Sequence, residues 1–207
     1  AMVADALDGR VARMTRTETR FGVQLDSLAD LVSFGVAPAV LAWAFSLHHL
    51  DAFGRLLGPL PAFLFVACGA MRLARFNLMA HVDAPPSPFF LGLPIPAAAV
   101  IVATAVWMSL DTGLGTRGRL VLMTVGMPTL GLLMVSTIRY RSFKHIRLGV
   151  PARIALLVAM AGIIVLAWRT RASVVLLSAG IVYIIMGPAE WLVRRIRRRR
   201  RRSLENN

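Results

Sequence analysis

Cysteine is almost missing from this chain: Cys68 is the only one in 207 residues. A single thiol closes no intrachain disulfide and builds no metal–thiolate cluster. Charge is scarce too. Asp, Glu, Lys and Arg make up 16% of the sequence, against about a quarter in a soluble domain. No ten-residue alternation of polar and apolar positions recurs, which argues against a transmembrane β-barrel. No Ser/His or Cys/His pair stands out as nucleophile and base, so no covalent enzyme intermediate is expected.

Apolar residues are abundant instead. They form 57% of the chain, and the mean hydropathy is +0.67. This composition belongs to the membrane class. Stretches of spanning length run over about 24–47, 56–79, 89–110, 120–138, 151–168 and 173–193. Each is long enough for a helix crossing a hydrocarbon core ~30 Å thick. The expected fold is an all-α integral membrane bundle of six full transmembrane helices. The stub of an earlier helix precedes them: only four residues stand before Asp5, where a spanning helix would need many more. A short interfacial helix is the competing reading of that stub. Proline and glycine interrupt the apolar runs at "FGVAPA" (34–39) and "GLPIPAAA" (92–99). Membrane bundles tolerate such breaks where neighbours satisfy the freed backbone. "GLPIP" is read as a helix start, because proline suits a first turn.

Basic residues set the topology. With residues 10–20 on the cytoplasmic side and sides alternating thereafter, 19 of the 24 Lys and Arg fall inside and five outside. The five are Arg55, Arg117, Arg119, Arg169 and Arg171. The formal charge of +14 is concentrated in "RRIRRRRRR" (194–202). Directly after a span, such a run is a topology anchor that attracts anionic lipid rather than a nucleic-acid arm. Trp43, Trp107, Trp168 and Trp191 lie near span ends, as an aromatic belt requires.

Four aspartates break this pattern. Asp5 and Asp8 are three apart and share a helix face, with Gly9 and Ala12 on or beside it. Asp26 and Asp30 are four apart on the next helix, with Gly22 one turn earlier. The short link "MTRTETR" makes the two helices antiparallel neighbours, so their acidic faces can converge. An aspartate deep in a span costs ~2.5–3.5 kcal/mol on insertion scales. Two divalent cations would offset that cost, and hard carboxylate oxygens suit Mg²⁺ or Mn²⁺. Gly9, Ala12 and Gly22 would admit a bulky phosphate ligand to the backbone. The pattern therefore reads as a diphosphate site for metal-assisted displacement at phosphorus. The plainer reading is surface pairing with Arg10, Arg13, Arg16 and Arg20.

The full spacing, D5-x2-D8-G9-x2-A12-R13-x8-G22-x3-D26-x3-D30, resembles the signature of the CDP-alcohol phosphotransferases. "LDSLADLVSFGVAPA" (25–39), "ACGAMRLARFN" (67–77), "GLPIPAAA" (92–99) and "VSTIRYRSFK" (135–144) are similar to the phosphatidylserine synthase branch. The likeness covers most of residues 1–145. It implies one membrane domain over 1–207: a core over 1–145 lacking its N-terminal helix, two additional transmembrane helices over 146–193 and a basic cytoplasmic tail over 194–207. It implies CDP-diacylglycerol and L-serine as substrates, with phosphatidylserine and CMP as products. Asp5, Asp8 and Asp26 would hold two metals, and Asp30 would touch one and act as general base. Gly9, Ala12, Arg13, Thr19 and Gly22 would meet the CDP-lipid. Arg72, Arg75, Asn77, Arg139, Arg141 and Lys144 fall at the cytoplasmic ends of their spans, where a serine carboxylate needs a cation. Arg75, Asn77, Arg141 and Lys144 are taken as serine-binding candidates. Membrane lipids are expected partners and nucleic acid is not; a homodimer is a family expectation. The expected location is a bacterial or archaeal cell membrane, with the active site on the cytoplasmic face. Two alternatives stay open: glycerol phosphate or inositol phosphate as acceptor, and a divalent-cation transporter.

Overall fold

The computed structural model describes residues 20–53, 58–80, 89–141, 162 and 171–205. Six α-helices account for most of them. They are α1 (Arg20–Asp30), α2 (Ala37–Phe45), α3 (Pro59–Ala80), α4 (Ile95–Asp111), α5 (Thr116–Val135) and α6 (Ala172–Glu205). A π-helical turn, Leu31–Val36, joins α1 to α2, and a 3₁₀ segment, Leu47–Phe53, follows α2.

Four helices are long and apolar enough to cross a membrane: Phe21–Phe45, Pro59–Met79, Thr116–Val135 and Ala172–Ala189. The expectation of six full spans is thus met by four among the described residues. The span expected over 89–110 becomes α4, which has 17 residues. The span expected over 151–168 lies outside the described residues, apart from residue 162, which is helical. Large apolar side chains face outward along these helices, including Phe21, Phe63, Val121 and Leu132, each more than 60% exposed. In water such a surface would drive aggregation; against lipid it costs nothing.

The third span is shorter than expected because its first residues are not helical. Phe89–Leu91 forms β1, which pairs antiparallel with β2 (Arg139–Arg141), Phe89 opposite Arg141. Gly92 then adopts φ +77°, and Pro94 is extended as the N-cap of α4. Neither conformation continues a helix. The reading of "GLPIP" as a helix start holds, with Ile95 as the first residue of α4.

Helix α4 is the most buried element and sits at the centre of the bundle. Ile95, Ala98, Ile101, Val102, Ala105 and Val106 all lie in the core. Small residues bring the neighbouring backbones close, as in other membrane bundles. A Cβ at Gly131 of α5 would lie 3.3 Å from the Cys68 sulfur of α3. A Cβ at Gly180 of α6 would lie 2.9 Å from Ile101 of α4. At Gly69 of α3 it would lie 2.8 Å from the Ile95 side chain, which also approaches Gly35. These contacts clamp the π-turn between α3 and α4.

The π-turn has a local cause. Pro38, in the first turn of α2, has no N–H to donate, and its ring crowds the carbonyl four residues back. Widening the turn relieves that clash: the Ala37 N–H bonds to the Val32 carbonyl, five residues back. The widened turn starts directly after Asp30.

The two ends of the bundle are distinct. At one end, Ser173 donates to an Asp111 carboxylate oxygen at 2.6 Å and Arg171 to the Asp111 carbonyl at 2.6 Å. Arg119 stacks on Phe45 there, 5.0 Å from the ring centroid. At the other end lie α1, the C-terminus of α3 and the β1–β2 ribbon. Arg117, Arg119 and Arg171 share the first end, and Arg72, Arg75, Arg139 and Arg141 the second, which agrees with the alternation expected from the sequence. Helix α6 continues unbroken through the basic run to Glu205, as arginine's good helix propensity allows.

Candidate active site

Of the four aspartates, Asp26 and Asp30 fall within the described residues; Asp5 and Asp8 do not, nor do Gly9, Ala12, Arg13, Thr19 and Lys144. Gly22, Asp26 and Asp30 occupy α1 at successive four-residue steps, so they form one stripe along it. Asp26 is exposed and Asp30 half-buried. No group of three His, Cys, Asp or Glu able to hold a metal occurs among the described residues. The donors that are described suit a hard divalent cation in kind: two carboxylates, one helical turn apart.

Helix α3 reaches α1 through Ser27, the residue after Asp26. The Asn77 side-chain N–H donates to Ser27 Oγ at 2.8 Å, and Ser27 Oγ donates to the Val23 carbonyl at 3.1 Å. Asn77, a serine-binding candidate from the sequence, therefore bonds to the aspartate helix itself. Such interhelical bonds are worth about 0.6 kcal/mol on average in a membrane, but they set rotation and depth, which decides where Asp26 and Asp30 point.

Arg75 is engaged in the scaffold. It donates to the carbonyls of Val135 at 2.9 Å, Leu91 at 3.0 Å and Ser136 at 3.2 Å. Two of these acceptors end α5, where partial negative charge gathers; the third precedes Gly92. The Gly92 N–H donates to Ile138 O and the Leu93 N–H to Leu133 O. Arg75 is thus the centre of a clamp joining α3, the ribbon and the end of α5. Three of its five N–H groups are directed at backbone, which shifts the serine-binding expectation away from it. For Arg141 the structure describes the backbone alone, paired opposite Phe89 in β2.

One turn earlier on α3, Arg72 has a different setting. It is half-buried, and it stacks on Phe76 with 5.6 Å to the ring centroid. The sequence placed Arg72 and Arg75 together as an i, i+3 pair; nothing in that spacing tells which of them the backbone consumes.

The model for CDP-alcohol phosphatidyltransferase matches residues 1–132. The chain belongs to this family. A Helicobacter pylori relative named CDP-diacylglycerol–serine O-phosphatidyltransferase is 39% identical over 194 residues, covering 93% of this chain and 76% of the relative. A Mycobacterium leprae protein of the same name is 33% identical, covering 90% of this chain and 59% of its own length. One from Methanocaldococcus jannaschii is 37% identical over 145 residues, 70% of this chain and 62% of the relative. Membership in the CDP-alcohol phosphatidyltransferase family makes this an enzyme of phospholipid synthesis, and gives no support to the transporter alternative. Residues 1–132 include the aspartate stretch, Arg75 and its Leu91 acceptor; Val135 and Ser136, and α6 with Tyr183, lie beyond the matched region.

Proposed function

We propose that the protein transfers the phosphatidyl group of CDP-diacylglycerol to the hydroxyl of L-serine, releasing CMP. The observation that carries this reading is the Gly22–Asp26–Asp30 stripe on α1, within the matched family region. The choice of serine rests on the names of relatives from two bacteria and an archaeon.

Asp5, Asp8, Asp26 and Asp30 would hold two divalent cations, Mg²⁺ or Mn²⁺, whose positive charge neutralises the diphosphate and the departing CMP. A serine hydroxyl is a poor nucleophile at neutral pH, and Asp30 takes its proton as the oxygen attacks. A new O–P bond forms to the phosphatidyl phosphorus while the bond to the CMP oxygen breaks, and no covalent enzyme intermediate is formed. Gly22 keeps the surface of α1 low beside the carboxylates; Gly9, Ala12, Arg13 and Thr19 contribute the remaining contacts to the CDP-lipid. We place this site on the cytoplasmic face, where the basic residues accumulate.

The test is acceptor dependence. Purified protein in vesicles containing CDP-diacylglycerol, supplied with Mg²⁺ or Mn²⁺, should release CMP on addition of L-serine and form phosphatidylserine. Release that depends on glycerol phosphate or inositol phosphate, and not on serine, would replace the acceptor while leaving the chemistry intact.

A further inference from the structure

The densest charge in the molecule lies outside both the acidic stripe and the Arg75 clamp. Eight arginines fill the positions 194–202, with Ile196 as the one exception. Helix α6 carries all of them. It starts beside Asp111, where Ser173 bonds to the carboxylate, and it packs against β2 further along. It therefore leaves the bundle at the end that holds the ribbon and α1. Its apolar span closes at Ala189, yet the helix runs on to Glu205.

Position along the helix decides what these charges can reach. With Ala189 as the edge of the hydrocarbon, Arg194 to Arg198 stand about 7–14 Å beyond it, at 1.5 Å per residue. The headgroup layer on each side of a bilayer is about 5–8 Å thick, and charges act through water over about 8 Å at physiological salt. The first half of the run is thus level with lipid phosphates or within their field. At 3.6 residues per turn the eight positions are spread over every side of the helix. No apolar stripe is left on which this segment could lie flat in the interface. Its attraction to a membrane is electrostatic, and the nearest negative charge belongs to the leaflet itself. A CDP-lipid carries a diphosphate, and so more charge than a lipid with a single phosphodiester.

We propose that this arginine helix gathers anionic lipid at the site end of the bundle, the CDP-lipid substrate included, and so sets the apparent KM for that substrate. The identity of the lipid rests on the function proposed above. The segment lies outside the matched family region, residues 1–132.

The six substitutions Arg197→Gln to Arg202→Gln are made together. Glutamine is close to arginine in helix propensity, and Arg194 and Arg195 remain to hold the topology. Phosphatidylcholine vesicles contain CDP-diacylglycerol as their only anionic lipid, at low salt. The KM of the variant for CDP-diacylglycerol should rise roughly five- to tenfold, with kcat, the KM for L-serine and the melting temperature unchanged. At about 0.5 M salt the two proteins should converge. A second measurement needs no turnover. The share of spin-labelled phosphatidylglycerol immobilised at the protein, read by electron paramagnetic resonance, should be larger for the unmodified protein at low salt and equal at high salt. Equal KM values for CDP-diacylglycerol at low salt would overturn the proposal. So would a lower kcat together with a lower melting temperature, which would make the run a structural brace. Equal immobilised shares, with arginine-dependent capture of an RNA oligonucleotide, would assign the helix to nucleic acid instead. Arginine-dependent immobilisation of lipid without serine-dependent CMP release from the unmodified protein would uphold the lipid site and remove the serine reading.

Discussion

Replacing Arg75 by methionine tests the clamp that holds the ribbon end of the bundle. The substitution keeps the unbranched apolar stem and removes every donor, so the carbonyls of Leu91, Val135 and Ser136 lose the guanidinium together. A hydrogen bond to a charged group contributes about 1.5–3 kcal/mol, and leaving buried acceptors unpaired carries a penalty of similar size. The three bonds share one cation, and the site is only partly buried, so water will satisfy some of the freed acceptors. A net loss of about 2–4 kcal/mol is the reasonable sum. For a chain of this size, 1 kcal/mol shifts the melting temperature by roughly 2–4 °C, so a fall of about 4–16 °C is expected. Lysine should recover the charge–dipole part, about 0.3–1 kcal/mol, without the fork. Thermal unfolding in detergent, followed by exposure of the buried Cys68 to a thiol-reactive dye, measures both variants. Should Arg75→Met melt within about 2 °C of the unmodified protein, the clamp would not be holding the ribbon to α5.

Other expectations follow from neighbouring contacts. Gly92→Ala should be strongly destabilising, because it combines a positive φ, costing about 1–2 kcal/mol, with a Cβ that overlaps the Met134 carbonyl oxygen. Gly113→Ala, also at positive φ but with open space around it, should cost only the conformational part; equal melting temperatures for the two would refute the overlap. Asn77→Ala and Ser27→Ala should each lower kcat by a similar factor, with the double variant no worse than either single one and the serine KM unmoved. A rise in serine KM confined to Asn77→Ala would instead make Asn77 a direct contact of serine. Asp30→Asn should abolish turnover while CDP-lipid binding survives, whereas Asp26→Asn should also weaken Mn²⁺ binding measured by electron paramagnetic resonance; normal turnover in Asp30→Asn would remove it as the base.

The membrane class, the helical architecture and the acidic stripe were legible from one dimension because each is local. Spanning length depends on consecutive apolar residues, and Gly22, Asp26 and Asp30 share a face by helical period alone. The grouping of the basic residues at two opposite ends followed from their alternation along the chain. Some details escaped because they arise from contacts between distant segments. "PFFLGLP" (88–94) is apolar enough to be read as helix, and it becomes a short strand only because residues 133–141 lie alongside to receive its hydrogen bonds. The widened turn after Asp30 depends on Pro38 and on Ile95 seated against Gly35 and Gly69.

The difference between Arg72 and Arg75 shows the boundary most clearly. Sequence alone determined that two guanidinium groups stand one turn apart on a span, near the level of the aspartates, because a helix repeats every 3.6 residues whatever surrounds it. Only the tertiary structure decided their uses. The end of α5 and the Leu91 carbonyl reach Arg75 across about 16 to 61 positions of sequence and consume its donors. The ring of Phe76 is what Arg72 meets instead, since backbone acceptors are supplied by whichever segment the packing brings near, and no local pattern encodes that choice.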